Sequence, residues 1–136
     1  MTLEEIENEI VEEFSMFDEW LDKYEYIIEL GKSLEPLADS AKTEEHLIKG
    51  CQSRVWLDYE VRDGIIFFTA DSDAIITKGI ISLLVKIYSG RSAEEILGSD
   101  FSIVEKIGLR ENLSPTRANG LVSMIDTIRS IAGAKS

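Results

Sequence analysis

The sequence predicts an α+β fold in which a small antiparallel β-sheet packs against several α-helices. Apolar and polar residues alternate over residues 55–61, which is typical of a half-buried strand. The dipeptide Asp63-Gly64 predicts a two-residue hairpin turn, and the apolar run 65–70 predicts the returning strand. On both sides of this hairpin, apolar residues recur every three or four positions, as they do in helices. Because 136 residues suit one core, we expect a single domain over residues 1–136.

The first third of the chain predicts two helices. Their inward faces are apolar residues at helical spacing: Leu3, Ile6, Ile10, Phe14 and Phe17 in the first, and Trp20, Leu21, Tyr24, Ile27 and Ile28 in the second. Asp18 is the expected N-cap of the second helix and Gly31 its expected end. Whether a bend separates the two helices near residues 15–18 stays open. The segment 32–49 contains Pro36 and many polar residues, so we expect a mostly irregular connection, long enough to hint at function.

After the hairpin, a third helix is expected from about Ala74 to Tyr88, with residues 71–73 as its cap. This segment is apolar on nearly every side, which indicates a helix at the centre of the fold rather than on its surface. Gly90 is its expected end.

The last third of the chain predicts shorter helices and then a long one. Ser92 and Glu95 form a capping-box pair for a short helix, and residues 100–107 predict another short piece. Ser114 followed by Pro115 is typical of an N-cap and the first helical position. The final helix then presents one apolar face: Leu121, Met124, Ile125, Ile128 and Ile131.

The charge of the chain limits its partners. Asp and Glu total 26 against 14 Lys and Arg, which gives a net charge of −12. Such a surface repels phosphate backbones and anionic lipid, so we expect no nucleic acid and no membrane partner. It favours encounter with a protein that carries a basic patch. The N-terminus has no basic region followed by an apolar run, and no stretch reaches the ~18 apolar residues of a membrane span. We therefore expect a cytoplasmic protein, in which a lone thiol stays reduced.

Few residues are candidates for chemistry. With one histidine and one cysteine, the sequence offers no metal cluster of usual composition and no phosphate-binding glycine motif, so we expect no metal and no cofactor. His46 is interpreted as an exposed loop residue, although it is the one histidine available as a base. The pair Asp71 and Asp73 is interpreted as helix capping rather than catalysis.

Cys51 is the strongest chemical candidate. It follows Gly50, at which a backbone can turn sharply and leave a side chain at a loop tip. Its further neighbours are polar or basic: Lys49, Gln52, Ser53 and Arg54. Positive charge near a thiol favours the nucleophilic thiolate. On these residues alone, a functional thiol and a buried, inert cysteine both remain open.

Four segments resemble one known family. The run Ile-Lys-Gly-Cys-Gln-Ser-Arg-Val-Trp-Leu at residues 48–57 closely resembles the cysteine segment of the SufE family of sulfur acceptors, which includes SufE- and CsdE-like proteins. Residues 26–31, 71–79 and 113–121 agree with three further family segments, in the family's order. One departure is Asn112, because members often have histidine there.

The resemblance implies a SufE/IscU-like α+β fold and a role in sulfur transfer. A member of this family takes persulfide sulfur from a SufS-type cysteine desulfurase onto its cysteine, here Cys51. It stimulates that enzyme and delivers sulfur to an iron–sulfur cluster scaffold complex. The pyridoxal phosphate belongs to the desulfurase. The chain would thus be a sulfur-transfer partner and activator rather than a stand-alone enzyme.

The resemblance also implies supporting residues around Cys51. Arg117 matches a family arginine and is expected to hold Cys51 or stabilise its anionic form, and Asp73 is expected to tune the position of the cysteine loop. The other supporting positions flank the thiol: Gly50, Gln52, Ser53 and Arg54. Because a persulfide is easily reduced or oxidised, we hypothesise that the loop is sheltered beside Trp56 and the central helix and moves outward on docking.

Two alternatives are kept. One is a thiol-dependent hydrolase or peroxidase that uses Cys51 as nucleophile, although the chain has no second cysteine to resolve a sulfenic acid and only His46 as a base. The other is an interaction domain whose cysteine is structural.

Overall fold

The computed structural model describes residues 2–35 and 37–135, so Pro36 of the expected irregular connection lies outside the described residues. Over the described ranges the chain forms seven α-helices, three β-strands and two short 3-10 turns. The helices are α1 (Leu3–Ser15), α2 (Trp20–Lys32), α3 (Ile75–Tyr88), α4 (Ala93–Leu97), α5 (Ile103–Lys106), α6 (Leu109–Asn112) and α7 (Pro115–Lys135). The strands are β1 (Val55–Arg62), β2 (Ile65–Ser72) and β3 (Arg91–Ser92), and the 3-10 turns are Asp39–Ala41 and Glu44–His46.

The sheet is antiparallel with the order β1-β2-β3, which confirms the α+β class. β1 and β2 pair from Val55 opposite Ser72 to Arg62 opposite Ile65. Asp63 and Gly64 close this hairpin, both with positive φ (52° and 77°), as the predicted two-residue turn requires. β3 was not predicted, because two residues are too few to show an alternating pattern.

One face of the hairpin forms part of the hydrophobic core. Val55 and Leu57 of β1 and Ile66, Phe68 and Ala70 of β2 are buried. Side chains alternate along a strand, so Trp56 and Asp58 point to the outer face. The segment before β1 crosses that outer face, and Leu47 forms an isolated bridge with Trp56.

α3 lies at the centre of the fold, as its all-round apolar pattern predicted. Ten of its 14 residues are buried. Its closest neighbour is α2, and the two helices approach at a pair of glycines. A Cβ on Gly79 would overlap the backbone carbonyl of Ile27, and a Cβ on Gly31 would come within 2.8 Å of the Gly79 nitrogen. The prediction that Gly31 ends α2 was therefore wrong: the helix continues to Lys32, and Gly31 allows the close crossing.

Two of the expected caps were also wrong. α2 begins after Glu19, which makes no side-chain cap, so Asp18 is not the N-cap; the open question of a bend is resolved by the break between Ser15 and Trp20. α3 begins after Ala74, again without a side-chain cap. Of residues 71–73, Ser72 comes nearest to a cap: its Oγ accepts from the N–H of Ala74 at 3.3 Å, which is the cap residue rather than a helical position. The carboxylate of Asp73 instead accepts from the N–H of Arg54.

Two residues of the expected inward faces do not fit: Phe17 lies beyond the end of α1, and Leu21 of α2 is 63% exposed. The helix signals of the last third of the chain are confirmed. Ser92 and Glu95 form the capping box of α4. The backbone N–H of Arg117 donates to Ser114 Oγ at 3.3 Å, as expected of an N-cap before Pro115. The expected apolar face of α7 packs into the core. No helix among the described residues combines the length and the apolar character that crossing a membrane requires.

Candidate functional site

Cys51 lies in a loop whose two ends are held by backbone hydrogen bonds. This loop, residues 49–54, is called the cysteine loop below. Just before it, the N–H of Ile48 donates to the carbonyl of Val55 at 2.8 Å. At its other end, the N–H of Arg54 donates to Asp73 Oδ1 at 3.0 Å, and the N–H of Asp73 donates back to the Arg54 carbonyl at 3.2 Å. One end of the loop is thus anchored to the start of β1, and the other to Asp73, the residue that follows β2.

The tip of the cysteine loop rests on α7. Gly50 has φ of +92°, a conformation that glycine adopts readily, and a Cβ at this position would overlap Ser123 Oγ. Cys51 is partly buried, and its Sγ donates a long hydrogen bond of 3.6 Å to the carbonyl of Gly120. A Cβ on Gly120 would stand 3.4 Å from Sγ, which is contact distance, so the sulfur packs directly against this glycine.

A small cavity of about 70 Å³ lies beside the thiol. It is enclosed by three parts of the chain: the cysteine loop, the first half of α3 and the first half of α7. Its lining residues are Cys51, Gln52 and Ser53 from the loop, Thr77 and Ile80 from α3, and Thr116, Arg117, Gly120 and Met124 from α7. The topology therefore brings residues far apart in sequence to one pocket around the sulfur.

The thiol is protonated more readily here than in water. Burial raises the pKa of Cys51 above its ordinary value. The expectation that Lys49 and Arg54 favour the thiolate is wrong for this arrangement, because both residues are exposed and water screens their charge while the sulfur is partly desolvated. A protonated thiol also explains the contact with Gly120, since a carbonyl oxygen needs a donor.

The supporting residues divide into two groups. Gln52, Ser53 and Arg117 line the cavity. Arg117 lies in the first turn of α7, is exposed, and donates from Nη1 to the hydroxyl of Tyr24 at 3.5 Å. Asp73 and Arg54 instead anchor the end of the loop. Some of these residues therefore form the wall of the cavity, and the others hold the end of the cysteine loop in place.

Asn112 lies outside this pocket. It is the last residue of α6, and its Nδ2 donates to the carbonyl of Gly108 at 2.7 Å. Family members often have histidine at this position. Here the asparagine side chain instead stabilises the local turn formed by α6.

The shelter around Cys51 differs from the expected one. α3 contributes to it, as expected, but the other wall is α7. Trp56 lies on the outer face of the sheet, where the ammonium of Lys42 stands 5.7 Å from its ring centre.

His46 lies on that same outer face. It is partly buried rather than a freely exposed loop residue, because its Nδ1 lies 2.7 Å from the carbonyl of Ala41 and its Nε2 lies 3.2 Å from Asp58 Oδ1. None of the described residues that line the Cys51 cavity is a histidine. The arrangement gives no support to His46 as a base for Cys51.

Two groups of residues were missed by sequence reasoning. Thr77, Ile80, Gly120 and Met124 lie in regular helical patterns, and only their packing shows that they face the thiol. The second group surrounds Asp71, which is 5% exposed and binds Lys42 and Lys78, each at 3.3 Å. The available signal was an acid near the end of an apolar strand, which sequence analysis interpreted together with Asp73 as a helix cap.

The carboxylate of Asp71 stays ionised in this environment. Burial alone would raise its pKa, but the N–H of Ser72 and the ammonium groups of Lys42 and Lys78 outweigh burial, and the pKa is lowered below its ordinary value. Asp71 therefore ties the connection before β1 to the start of α3.

Fold and site together define a class of protein. It is an α+β protein with one partly buried thiol at the tip of an anchored loop, beside a small cavity of about 70 Å³. The family model of SufE, described as an Fe–S metabolism associated domain, matches residues 8–132. The chain belongs to the SufE family, and its role lies in sulfur transfer in Fe–S metabolism.

Similar proteins agree with this assignment. An uncharacterised SufE-like protein of Rhizobium etli is 42% identical over 134 residues, covering 95% of this chain and 90% of that protein. Another, from Rhizobium meliloti, is 42% identical over 130 residues, covering 92% and 93%. The solution structure of a hypothetical protein from Thermus thermophilus has a TM-score of 0.77 at 19% identity, covering 95% of this chain and 94% of the other, and shows the likeness of fold alone.

Proposed function

We propose that Cys51 is the sulfur-accepting thiol of this protein, and that it takes persulfide sulfur from a SufS-type cysteine desulfurase for iron–sulfur cluster assembly. One observation carries the proposal: the single cysteine of the chain lies partly buried at the tip of a loop anchored at both ends, next to a cavity of about 70 Å³. An inert structural cysteine has no need of either the anchored loop or the free space.

The transfer is a thiol–disulfide exchange in which one sulfur moves. The Cys51 thiolate attacks the terminal sulfur of the persulfide on the partner's cysteine. A bond forms between Sγ and that sulfur, and the bond between the two sulfurs of the partner breaks, so the electron pair leaves on the partner's thiolate. The partner holds the pyridoxal phosphate that releases sulfur from free cysteine.

The resting loop suits storage rather than attack. Burial raises the pKa of Cys51, so the thiol is mainly protonated at neutral pH, and only a thiolate attacks efficiently. Docking therefore moves the tip of the loop outward, where water and positively charged side chains of the partner stabilise the thiolate. The anchors at Ile48 and Arg54 confine this movement to residues 49–53.

The supporting residues take separate roles in this scheme. Arg117 brings a guanidinium to the cavity wall, where it stabilises a sulfur anion. Asp73 keeps the end of the cysteine loop in place through Arg54. Gly50 provides the turn, and Gln52 and Ser53 complete the wall on the loop side.

The charge of the protein and the chemistry of persulfides indicate its partners and its compartment. A net charge of −12 favours a desulfurase with a basic docking surface, which the protein stimulates by removing its persulfide sulfur. The sulfur then passes to an iron–sulfur cluster scaffold complex. The cytoplasm suits this cycle because its thiols are kept reduced.

The alternatives have less support. A hydrolase or peroxidase needs a base or a resolving thiol near Cys51, but His46 is bound to Asp58 and the sequence has no second cysteine. An interaction domain with a structural cysteine leaves the cavity unexplained.

The test is the intact mass of the protein after incubation with its cysteine desulfurase and free cysteine. We expect a gain of one or more sulfur atoms that reductant removes and that Cys51→Ser abolishes. If the desulfurase becomes persulfurated while this protein gains no sulfur, the proposal is wrong.

A further inference from the structure

The hydroxyl group of Thr77 forms no hydrogen bond with any residue that the structure describes. The residue is 8% exposed on the buried helix α3, and it lines the cavity beside Cys51. Within residues 2–35 and 37–135, the structure contains no hydrogen bond to its Oγ1. Every fully enclosed side-chain nitrogen or oxygen in the described part of the chain does have a partner, so the Thr77 hydroxyl keeps access to the cavity.

The position of Thr77 in its helix explains why it lacks a partner. A threonine hydroxyl within a helix usually donates to the carbonyl one turn earlier. Thr127 of α7 does so, to the Ser123 carbonyl at 2.7 Å. Thr77 lies in the first turn of α3, so the residue four positions earlier is Asp73, which precedes the helix and its N-cap Ala74.

The cavity has room for a sulfur atom, and the hydrogen-bond donors that line it come from all three of its walls. They are Gln52 and Ser53 of the cysteine loop, Thr116 and the charged Arg117 of α7, and Thr77 of α3. A water needs roughly 10–15 Å³ of such space, so a cavity of about 70 Å³ accommodates a sulfur placed about 2 Å beyond Sγ. Ile80 and Met124 are apolar walls, and the Gly120 carbonyl is an acceptor that repels an anion. Thr77 offers a neutral donor on the α3 side of this space.

We propose that the Thr77 hydroxyl donates a hydrogen bond to the terminal sulfur of a persulfide carried on Cys51 and so holds that sulfur inside the cavity. This inference rests on the proposed function, because it needs Cys51 to carry sulfur. In the unloaded protein the hydroxyl lines the cavity without a hydrogen bond to a described residue. In the loaded protein it stabilises the anionic form of the persulfide, to which a hydroxyl donates more strongly than to the neutral form.

The experiment compares three proteins: wild type, Thr77→Val, which has a similar shape without the hydroxyl, and Thr77→Ser, which keeps the hydroxyl. Each is loaded with sulfur by the desulfurase and free cysteine, purified, and checked by intact mass. The persulfide is then alkylated with iodoacetamide over a series of pH values. We expect Thr77→Val to raise the pH of half-maximal alkylation by about one unit, roughly a tenfold loss of anion at a given pH, whereas Thr77→Ser stays close to wild type.

A structural role of the hydroxyl would give a different result. Because no described residue forms a hydrogen bond with this hydroxyl, we expect the thermal midpoint of unloaded Thr77→Val to equal or exceed that of wild type. A lowered midpoint in both Thr77→Val and Thr77→Ser, with unchanged persulfide titration, would overturn the inference. Thr77→Ala provides a second hydroxyl-free variant if valine is not tolerated.

The outcomes separate this inference from the proposed function. If wild type and Thr77→Val both acquire sulfur and titrate alike, the proposed function stands and the role of Thr77 is refuted. If wild type acquires no sulfur from a persulfurated desulfurase, the proposed function fails, and the role of Thr77 fails with it.

Discussion

At the scale of single residues, the site depends on small side chains around one sulfur. Gly120 packs directly against Sγ and offers it a carbonyl, and Gly50 turns the chain so that Cys51 can reach that position. The contact that holds the tip is a long hydrogen bond from a thiol, which is a weak donor. The tip of the loop therefore depends on shape more than on strong bonds.

Gly50→Ala tests this dependence on shape. The substitution places a Cβ against Ser123 Oγ and forces alanine into positive φ, which costs roughly 1–2 kcal/mol. We expect the loop tip to leave α7, so that iodoacetamide alkylates Cys51 several times faster at neutral pH. The measurement is the alkylation rate, followed by mass spectrometry.

Gly64→Ala is the matched control for Gly50→Ala. Gly64 also has positive φ (+77°), but a Cβ there meets no atom within 4 Å, so the variant has the backbone strain without the overlap. Its Cys51 should react at the wild-type rate. Adding Ser123→Ala to Gly50→Ala should slow alkylation again. Equal rates in Gly50→Ala and wild type would contradict this account of the tip.

At the scale of elements, Asp71 connects three parts of the fold that surround the cysteine loop. It is the last residue but one of β2, and it binds Lys42 of the connection before β1 and Lys78 of α3. Burial strengthens these ion pairs because water screens them less. The ion pair with Lys42 thereby holds the connection before Cys51 against the outer face of the sheet.

Asp71→Asn is expected to destabilise the protein by about 1–3 kcal/mol at pH 7, since Lys78 loses the carboxylate that it binds and Lys42 keeps only the exposed Asp39. The fold lowers the pKa of Asp71, so its contribution to stability is complete above the ordinary value of about 3.9 and is lost as pH falls through the lower folded value. The difference in the free energy of unfolding between wild type and Asp71→Asn should therefore become smaller at acid pH. Urea unfolding at pH 7 and at acid pH measures it.

Asp39→Asn is the control for Asp71→Asn. Asp39 also binds Lys42, at 3.5 Å, but its side chain is fully exposed. An exposed ion pair contributes little, so this variant should match wild type at both pH values. A loss of stability in Asp39→Asn as large as in Asp71→Asn would show that burial is not the deciding factor.

At the scale of the whole molecule, acidic groups dominate the surface. With a net charge of −12, the protein attracts a basic partner over a distance of about 10 Å at moderate salt. This long-range attraction acts on the rate of encounter more than on the strength of the final complex.

Association with the proposed desulfurase partner should therefore slow as salt increases. We expect the association rate constant to fall several-fold between low salt and about 0.5 M NaCl, with a smaller change in the dissociation rate constant. Stopped-flow fluorescence measures both, and a sucrose buffer of matched viscosity controls for slower diffusion. An association rate constant that is independent of salt would refute electrostatic steering.

The sequence by itself determined the fold class, most helices and the hairpin. These features depend on local rules, such as the alternation over residues 55–61, the Asp63-Gly64 turn and the Ser92–Glu95 capping box. It also identified Cys51, because a lone thiol beside glycine in a polar loop stands out, and four segments resembled one family.

Only the tertiary structure decided what surrounds the sulfur. Gly31 was interpreted as a helix end, but it allows α2 and α3 to cross, since a Cβ there would strike the backbone of Gly79. Thr77 and Gly120 line the same cavity as Cys51 only because α3 and α7 both pack beside the cysteine loop. The raised pKa of Cys51 likewise follows from burial. Local propensity and spacing predict elements, but the packing of distant elements sets contact, burial and charge at the site.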